Sequence, residues 1–135
     1  MKTINPDPQR LPAIFAGIPL DTPVVMVNLL RFREVAHYKD GPAAWSGREA
    51  YRRYSEVALV KLAEIGAEVI FMGDAKGSVI APPEESWDEV LLVRYPSIQV
   101  FMGMMASPDF REASKHRTAA LEDARLIATV QGHSL

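Results

Sequence analysis

Val24-Val25-Met26-Val27-Asn28-Leu29-Leu30-Arg31 is the stretch from which the fold is read. Short, apolar and rich in valine, it predicts a β-strand. Downstream lies a long connection over residues 32–45, with a turn at Asp40-Gly41-Pro42. Ser46-Gly47-Arg48-Glu49 then has the serine and glutamate of a capping box, in which each side chain satisfies an orphan amide at a helix start. Ala50, Tyr51, Tyr54, Val57, Ala58, Leu62 and Ile65 recur at helical spacing until Gly66, a natural stop, and Glu49 and Arg53 form a favourable i, i+4 pair outside. Glu68 to Ile80 reads as a second strand, bent or bulged at Gly73 and Gly77 and ended by Pro82-Pro83. Asp88 to Tyr95 is the third. Ser97 caps a short helix with Ile98, Phe101, Met102 and Met105 on one face, and Ser107-Pro108 restarts a helix with a serine cap and proline at its first position. Arg125 to Val130 is the fourth strand.

The order β-α-β-β-α-β predicts an α+β, ferredoxin-like fold, with right-handed crossovers placing both helices on one face of an antiparallel sheet. Upstream, residues 1–23 hold Pro6, Pro8, Pro12, Pro19 and Pro23 and read as a surface arm. Leu11, Ile14, Phe15 and Ile18 suggest one or two helical turns docked within it. The domain proper is 24–130, and 131–135 is a tail.

Composition bounds the function. The 135 residues favour a single domain, and 48% hydrophobic with 24% charged residues is an ordinary globular mixture. A net charge of −2 gives no reason to expect nucleic acid or an anionic membrane as partner. The absence of cysteine removes disulfides, thiolate catalysis, iron–sulfur clusters and cysteine zinc sites. No signal peptide or membrane-length apolar run is read, so a cytoplasmic protein is expected. His37, His116 and His133 are too scattered to preorganise a metal, and His116 is the one candidate for an axial haem ligand. No GxSxG, Walker or GxGxxG pattern occurs. No cofactor is expected.

Strand alternation separates Val25, Val27 and Leu29 from Val24, Met26, Asn28 and Leu30; Val69, Phe71 and Gly73 from Ile70, Met72 and Asp74; and Leu91, Val93 and Tyr95 from Val90, Leu92 and Arg94. The wholly apolar sets are expected under the helices, and the sets containing Asn28, Asp74 and Arg94 on the open side. That open side would still carry Val24, Met26, Leu30, Ile70, Met72, Val90 and Leu92. So large an apolar patch needs a cover, and a second copy packed sheet to sheet in a homodimer is expected to provide it, hiding Met26, Met72 and Leu92.

Asn28-Leu29-Leu30-Arg31-Phe32-Arg33, Tyr38, Gly41, Ser46-Gly47-Arg48-Glu49-Ala50-Tyr51 and Tyr54, with Ser107-Pro108-Asp109-Phe110, Arg117 and Asp123, together resemble the family known as domain of unknown function 1330. The resemblance covers about residues 24–130. It implies a protomer of the dimeric α/β-barrel superfamily, with a cavity often found between sheet and helices. That superfamily includes cofactor-independent oxygenases and isomerases, haem enzymes and ligand-binding regulators, and the family brings no catalytic assignment of its own.

Arg117 stands on a helical face with Ala113, Ala120 and Leu121. It either pairs internally with Asp74, Asp123, Asn28 or Tyr54, or anchors an anion or carbonyl. Asp74 is a candidate general base or a structural charge neutralised by Arg94, and Asn28 needs a partner wherever it is buried. Tyr51 and Tyr54, on the inner face of the helix, and Tyr38 and Trp45, bracketing the long connection, serve as core residues or as ligand contacts. Two functions remain open. One is a cofactor-independent enzyme of oxygenase or isomerase type, in which Asp74 moves a proton and Arg117 and Asn28 stabilise an enolate-like oxygen on a small-molecule substrate. The other is a non-catalytic dimer that binds a metabolite or another protein.

Overall fold

In a computed structural model, which describes residues 1–132, the chain runs α1 (Leu11–Ala16), β1 (Val24–Phe32), β2 (His37–Tyr38), β3 (Gly41–Pro42), α2 (Gly47–Glu64), β4 (Glu68–Asp74), β5 (Glu89–Tyr95), α3 (Ile98–Ala106), α4 (Pro108–Ala120) and β6 (Leu121–Thr129). The four-stranded sheet has the order β4-β5-β1-β6 with antiparallel neighbours throughout, as the ferredoxin-like reading requires. His133 and the end of the tail lie outside the described residues.

Local chemistry sets most boundaries. The Ser46 hydroxyl accepts from the Glu49 amide at 3.1 Å, while the Glu49 carboxylate turns to Arg52 at 2.7 Å, with Arg53 at 3.9 Å. Gly66, at φ +76°, ends α2 in the left-handed conformation that glycine adopts without a Cβ penalty. Ser97 caps α3 through the Val100 amide at 3.2 Å. The Ser107 hydroxyl does not cap α4: it donates back to the Met104 carbonyl at 2.7 Å, and Pro108 starts the helix. The connection 32–45 forms the small β2–β3 hairpin, turning at Gly41 with φ +121°. The fourth strand starts at Leu121, directly after the last helical residue, Ala120, so no loop separates α4 from β6.

The expected faces are reversed in β1 and in the second half of β4, which puts Asp74 on the helix side. Val24, Met26 and Leu30 are buried beneath the helices, in clusters with Ala58, Leu62, Ile98, Phe101 and Phe110 and with Ala50, Tyr51 and Leu121. Asn28 lies on that same side, because β1 alternates and the register sets Val24, Met26, Asn28 and Leu30 opposite Tyr95, Val93, Leu91 and Glu89. Both sides of β1 are apolar, so alternation alone carries no phase. In β4 a register shift between Val69 and Phe71 changes the phase within the strand, turning Phe71 to the open face and Met72 to the helix side. Met26 is therefore hidden by its own subunit, and Met72 is 62% exposed at the edge strand.

The open face remains apolar. Phe71, Leu92, Val27 and Ile127 stand directly opposite one another across all the strands, forming one unbroken row. Beside it run Val90 and Leu29, and the Phe71 ring lies where a side chain on Gly73 would go, 2.8 Å from an added Cβ.

Three segments meet at Gly47. A Cβ there would lie 2.2 Å from the Arg33 carbonyl oxygen and 2.6 Å from that of Ala120, both backbone atoms that cannot swing aside. Gly47→Ala is expected to destabilise the protein by about 1–3 kcal/mol through overpacking. Gly103→Ala, in α3 with nothing near its Cβ, should stabilise it by roughly 0.5–1 kcal/mol. Urea midpoints of the two variants check both signs.

Candidate functional site

The helix side of the sheet ends in a polar mouth. In register, Asp74 of β4 stands directly opposite Glu89 of β5, and Glu89 stands opposite Leu30 of β1. Partial burial pushes the Glu89 carboxyl up from the ordinary glutamate range, Arg48 at the start of α2 pulls it down, and Asp74 pushes it up again. The rise prevails. The Arg48 guanidinium lies over the Phe32 ring at 4.8 Å, a cation–π contact that fixes the charge at the mouth.

Inward from Phe32 runs a chain of aromatic rings: Tyr51 at 5.3 Å from Phe32, Tyr54 at 5.3 Å from Tyr51, and Phe110 at 5.9 Å from Tyr54. Burial drives the Tyr51 and Tyr95 phenols well above the usual tyrosine range and raises that of Tyr54, and the Arg117 charge near Tyr51 and Tyr54 only partly opposes this. These hydroxyls are therefore neutral, permanent donors. Asn28 spends its amide on the Leu91 carbonyl at 3.2 Å.

Arg117 is half-buried, and its Nη1 donates to the Ile4 carbonyl at 2.8 Å. Its acceptor is thus a backbone oxygen of the arm, which itself is stitched to β6 by Thr3 and Ala124. Asp123, an expected partner, belongs to Arg125 at 2.6 Å and to the Thr3 amide at 2.9 Å. Arg94 does not neutralise Asp74: it projects to the open side and pairs with Glu68, because its register places it opposite Val25 and Glu68. Tyr38 and Trp45 come together, but on another surface. The Trp45 indole donates to the Tyr38 hydroxyl at 3.2 Å, that hydroxyl meets His116 Nδ1 at 2.6 Å, and Arg53 stacks on Trp45 at 3.9 Å. This cluster pins the β2–β3 hairpin to α4.

The structure thus gathers Asn28, Tyr51, Tyr54 and Asp74 on the helix side, with Arg117 beside the two tyrosines, and separates Tyr38, Trp45 and Arg94 from them. Glu89 and Arg48 are additions. Glu89 was within reach of the sequence, since it continues the Leu91, Val93, Tyr95 alternation by one step. Two open grooves, of about 310 and 430 Å³, lie elsewhere, along the β4–β5 loop and between the outer surfaces of α2 and α4. Among the described residues, no cluster of three or more His, Asp or Glu side chains could hold a metal ion, and no helix is long and apolar enough to cross a membrane.

Fold and site define an α+β protein of ferredoxin-like architecture with two carboxylates side by side at the ends of β4 and β5. The chain belongs to the family described as domain of unknown function (DUF1330), whose pattern matches residues 44–132. A protein of unknown function from Rhodopseudomonas palustris has 34% sequence identity over 99% of this chain and 100% of its own, with a TM-score of 0.90. Hydroxynitrile lyase from Passiflora edulis is similar in fold, at 12% identity over 85% of this chain and 98% of its own and a TM-score of 0.59. So is a protein of unknown function from Bacteroides fragilis, described as dimeric and ferredoxin-like, at 15% identity over 84% of this chain and 100% of its own and a TM-score of 0.52. Comparison with curated proteins gave no match.

A carboxyl whose pKa rises on folding holds its proton more tightly in the native than in the unfolded chain. Native stability then falls as pH rises from the ordinary glutamate range through the raised value. Glu89→Gln is expected to be more stable than wild type at neutral pH, with the difference vanishing below about pH 4. Urea midpoints at the two pH values test this.

Proposed function

We propose that this protein binds a small enolisable molecule at the mouth between the sheet and α2 and moves a proton on it. The observation that carries this reading is the Asp74–Glu89 pair. Like charges directly opposite on neighbouring strands destabilise a sheet, so a scaffold alone gains nothing from them. A raised carboxyl pKa beside a second carboxylate is the arrangement proton transfer calls for near neutral pH. Ionised Glu89, or Asp74 in its place, takes a proton from the carbon next to a carbonyl, and the electron pair moves onto the carbonyl oxygen. That oxygen is stabilised by Arg48 at the mouth or, deeper, by the Tyr54 hydroxyl and Arg117. Returning the proton to a different atom completes an isomerisation with every atom accounted for.

The rival, a non-catalytic binding or interaction dimer, draws support from the aromatic packing behind the mouth and from the Ile4 carbonyl already held by Arg117. Deuterium exchange decides between them. Small ketones and 2-oxo acids are incubated with protein in D₂O and followed by NMR. Exchange catalysed by wild type should fall about 100-fold or more in Glu89→Gln. No exchange above the buffer rate for any compound would leave the non-catalytic reading standing.

We infer separately, from the apolar open face, that the protein pairs as a two-fold dimer through that face. The single chain exposes 8803 Å², against about 7,000 Å² for a compact monomer of this mass. The excess is about twice the roughly 800 Å² that a standard-size interface removes from each partner, on the scale of a large obligate dimer. Leu92→Asp, which sets a charge in the central apolar row, is expected to dissociate or unfold the assembly. Light scattering of wild type as a stable monomer at micromolar concentration would refute the pairing.

A further inference from the structure

We propose that the β4–β5 loop, residues 75–88, is a clasp for a second copy of this chain, with Val79 and Ile80 as its gripping residues. The proposal rests on the sheet-paired dimer above and adds a second zone of contact to it. Val79 is 98% and Ile80 95% exposed, so two adjacent β-branched side chains meet only water in the single subunit. Scattered exposed apolar residues need no explanation, but a pair displayed whole at a loop tip is costly to keep wet.

The loop is held in place at its base. The Ala75 amide donates to the Asp88 carbonyl at 2.9 Å, and the Asp88 amide to the Leu30 carbonyl at 2.7 Å. The Glu85 amide donates to the Pro82 carbonyl at 3.0 Å, beside the stiff Pro82-Pro83 pair. Arg125 then fastens the returning limb, stacking over Trp87 at 5.1 Å and meeting Glu85 at 3.4 Å.

Those fastenings also identify the occupant. Arg125 stands opposite Leu29 in register, on the open face. The loop base therefore borders the apolar row of Phe71, Leu92, Val27 and Ile127 on the open face, so a copy seated on that row has the loop within reach. An apolar centre bordered by charged groups such as Glu68–Arg94 and Arg125–Glu85 is the anatomy of a protein interface. In a two-fold pair each chain offers the same loop to the other, so each substitution acts twice.

The experiment uses the full chain. Because it contains no cysteine, Ile80→Cys supplies one unique probe. Its rate of labelling by a maleimide is measured at concentrations above and below the dimer dissociation constant, which is obtained by sedimentation. Protection at high concentration and fast labelling on dilution are expected. The double variant Val79→Ser/Ile80→Ser should raise the dissociation constant at least tenfold, whereas Val60→Ser, at an exposed position on α2, should leave it unchanged. A dimer of unaltered affinity whose residue 80 labels equally fast at all concentrations would overturn the clasp and leave the paired sheets intact. A wild-type chain that stays monomeric at every concentration would overturn both.

Discussion

The close approach of backbone at Gly47 is the constraint on which the arrangement of this protein depends. The Gly47 amide donates to the Arg33 carbonyl at 3.1 Å, and the Arg33 amide donates to the Ala120 carbonyl at 2.8 Å. The end of β1, the start of α2 and the junction of α4 with β6 are thereby tied within one hydrogen-bonded chain. Only a residue without a side chain admits this contact. Arg48 follows immediately, so the same contact sets where its charge meets Phe32 and how it faces Glu89. The mouth is an outcome of backbone packing before it is an outcome of side-chain chemistry.

Behind that mouth the protein accepts an electrostatic cost in one place and removes charge in another. Two carboxylates share a sheet edge with one arginine near them, while the interior holds phenols that burial keeps protonated. The carboxylates thus sit near solvent, and the neutral phenols sit deep. A fold selected for stability alone would have placed an apolar residue at 89, in line with Leu91 and Val93.

Much of this architecture was legible in the residues. Ser46, Gly66, Ser97 and Pro108 marked helix ends through local chemistry that acts wherever the residues occur. Phase was harder. Val24 and Val25 are equally apolar, so which one faces the helices depends on partners far along the chain, Tyr95 and Arg94, and no local pattern reports them. The bulge between Val69 and Phe71 then broke the one alternation that would have placed Phe71. The same limit governed the site. Asn28, Tyr51 and Tyr54 stood out as candidates by residue type, whereas the partner of Arg117 is a carbonyl of Ile4, an atom every residue possesses. Glu89 opens β5 one step before the apolar run, where a glutamate reads as an ordinary solvated charge unless its partner Leu30 across the sheet is known.

The N-terminal arm has a bearing on how molecules of this kind stay apart. The Ala124 amide donates to the Thr3 carbonyl and the Thr3 hydroxyl donates back to the Ala124 carbonyl, so part of the free edge of β6 is already occupied. The opposite edge, β4, is interrupted by its bulge. Unpaired, regular edges are the templates on which sheets extend from molecule to molecule, and here each is blunted by a different device. Growth by strand addition is therefore discouraged in both directions, and association is steered towards the flat of the sheet. In the proposed sheet-to-sheet pair, contact closes after one partner, which separates a finite complex from a fibre.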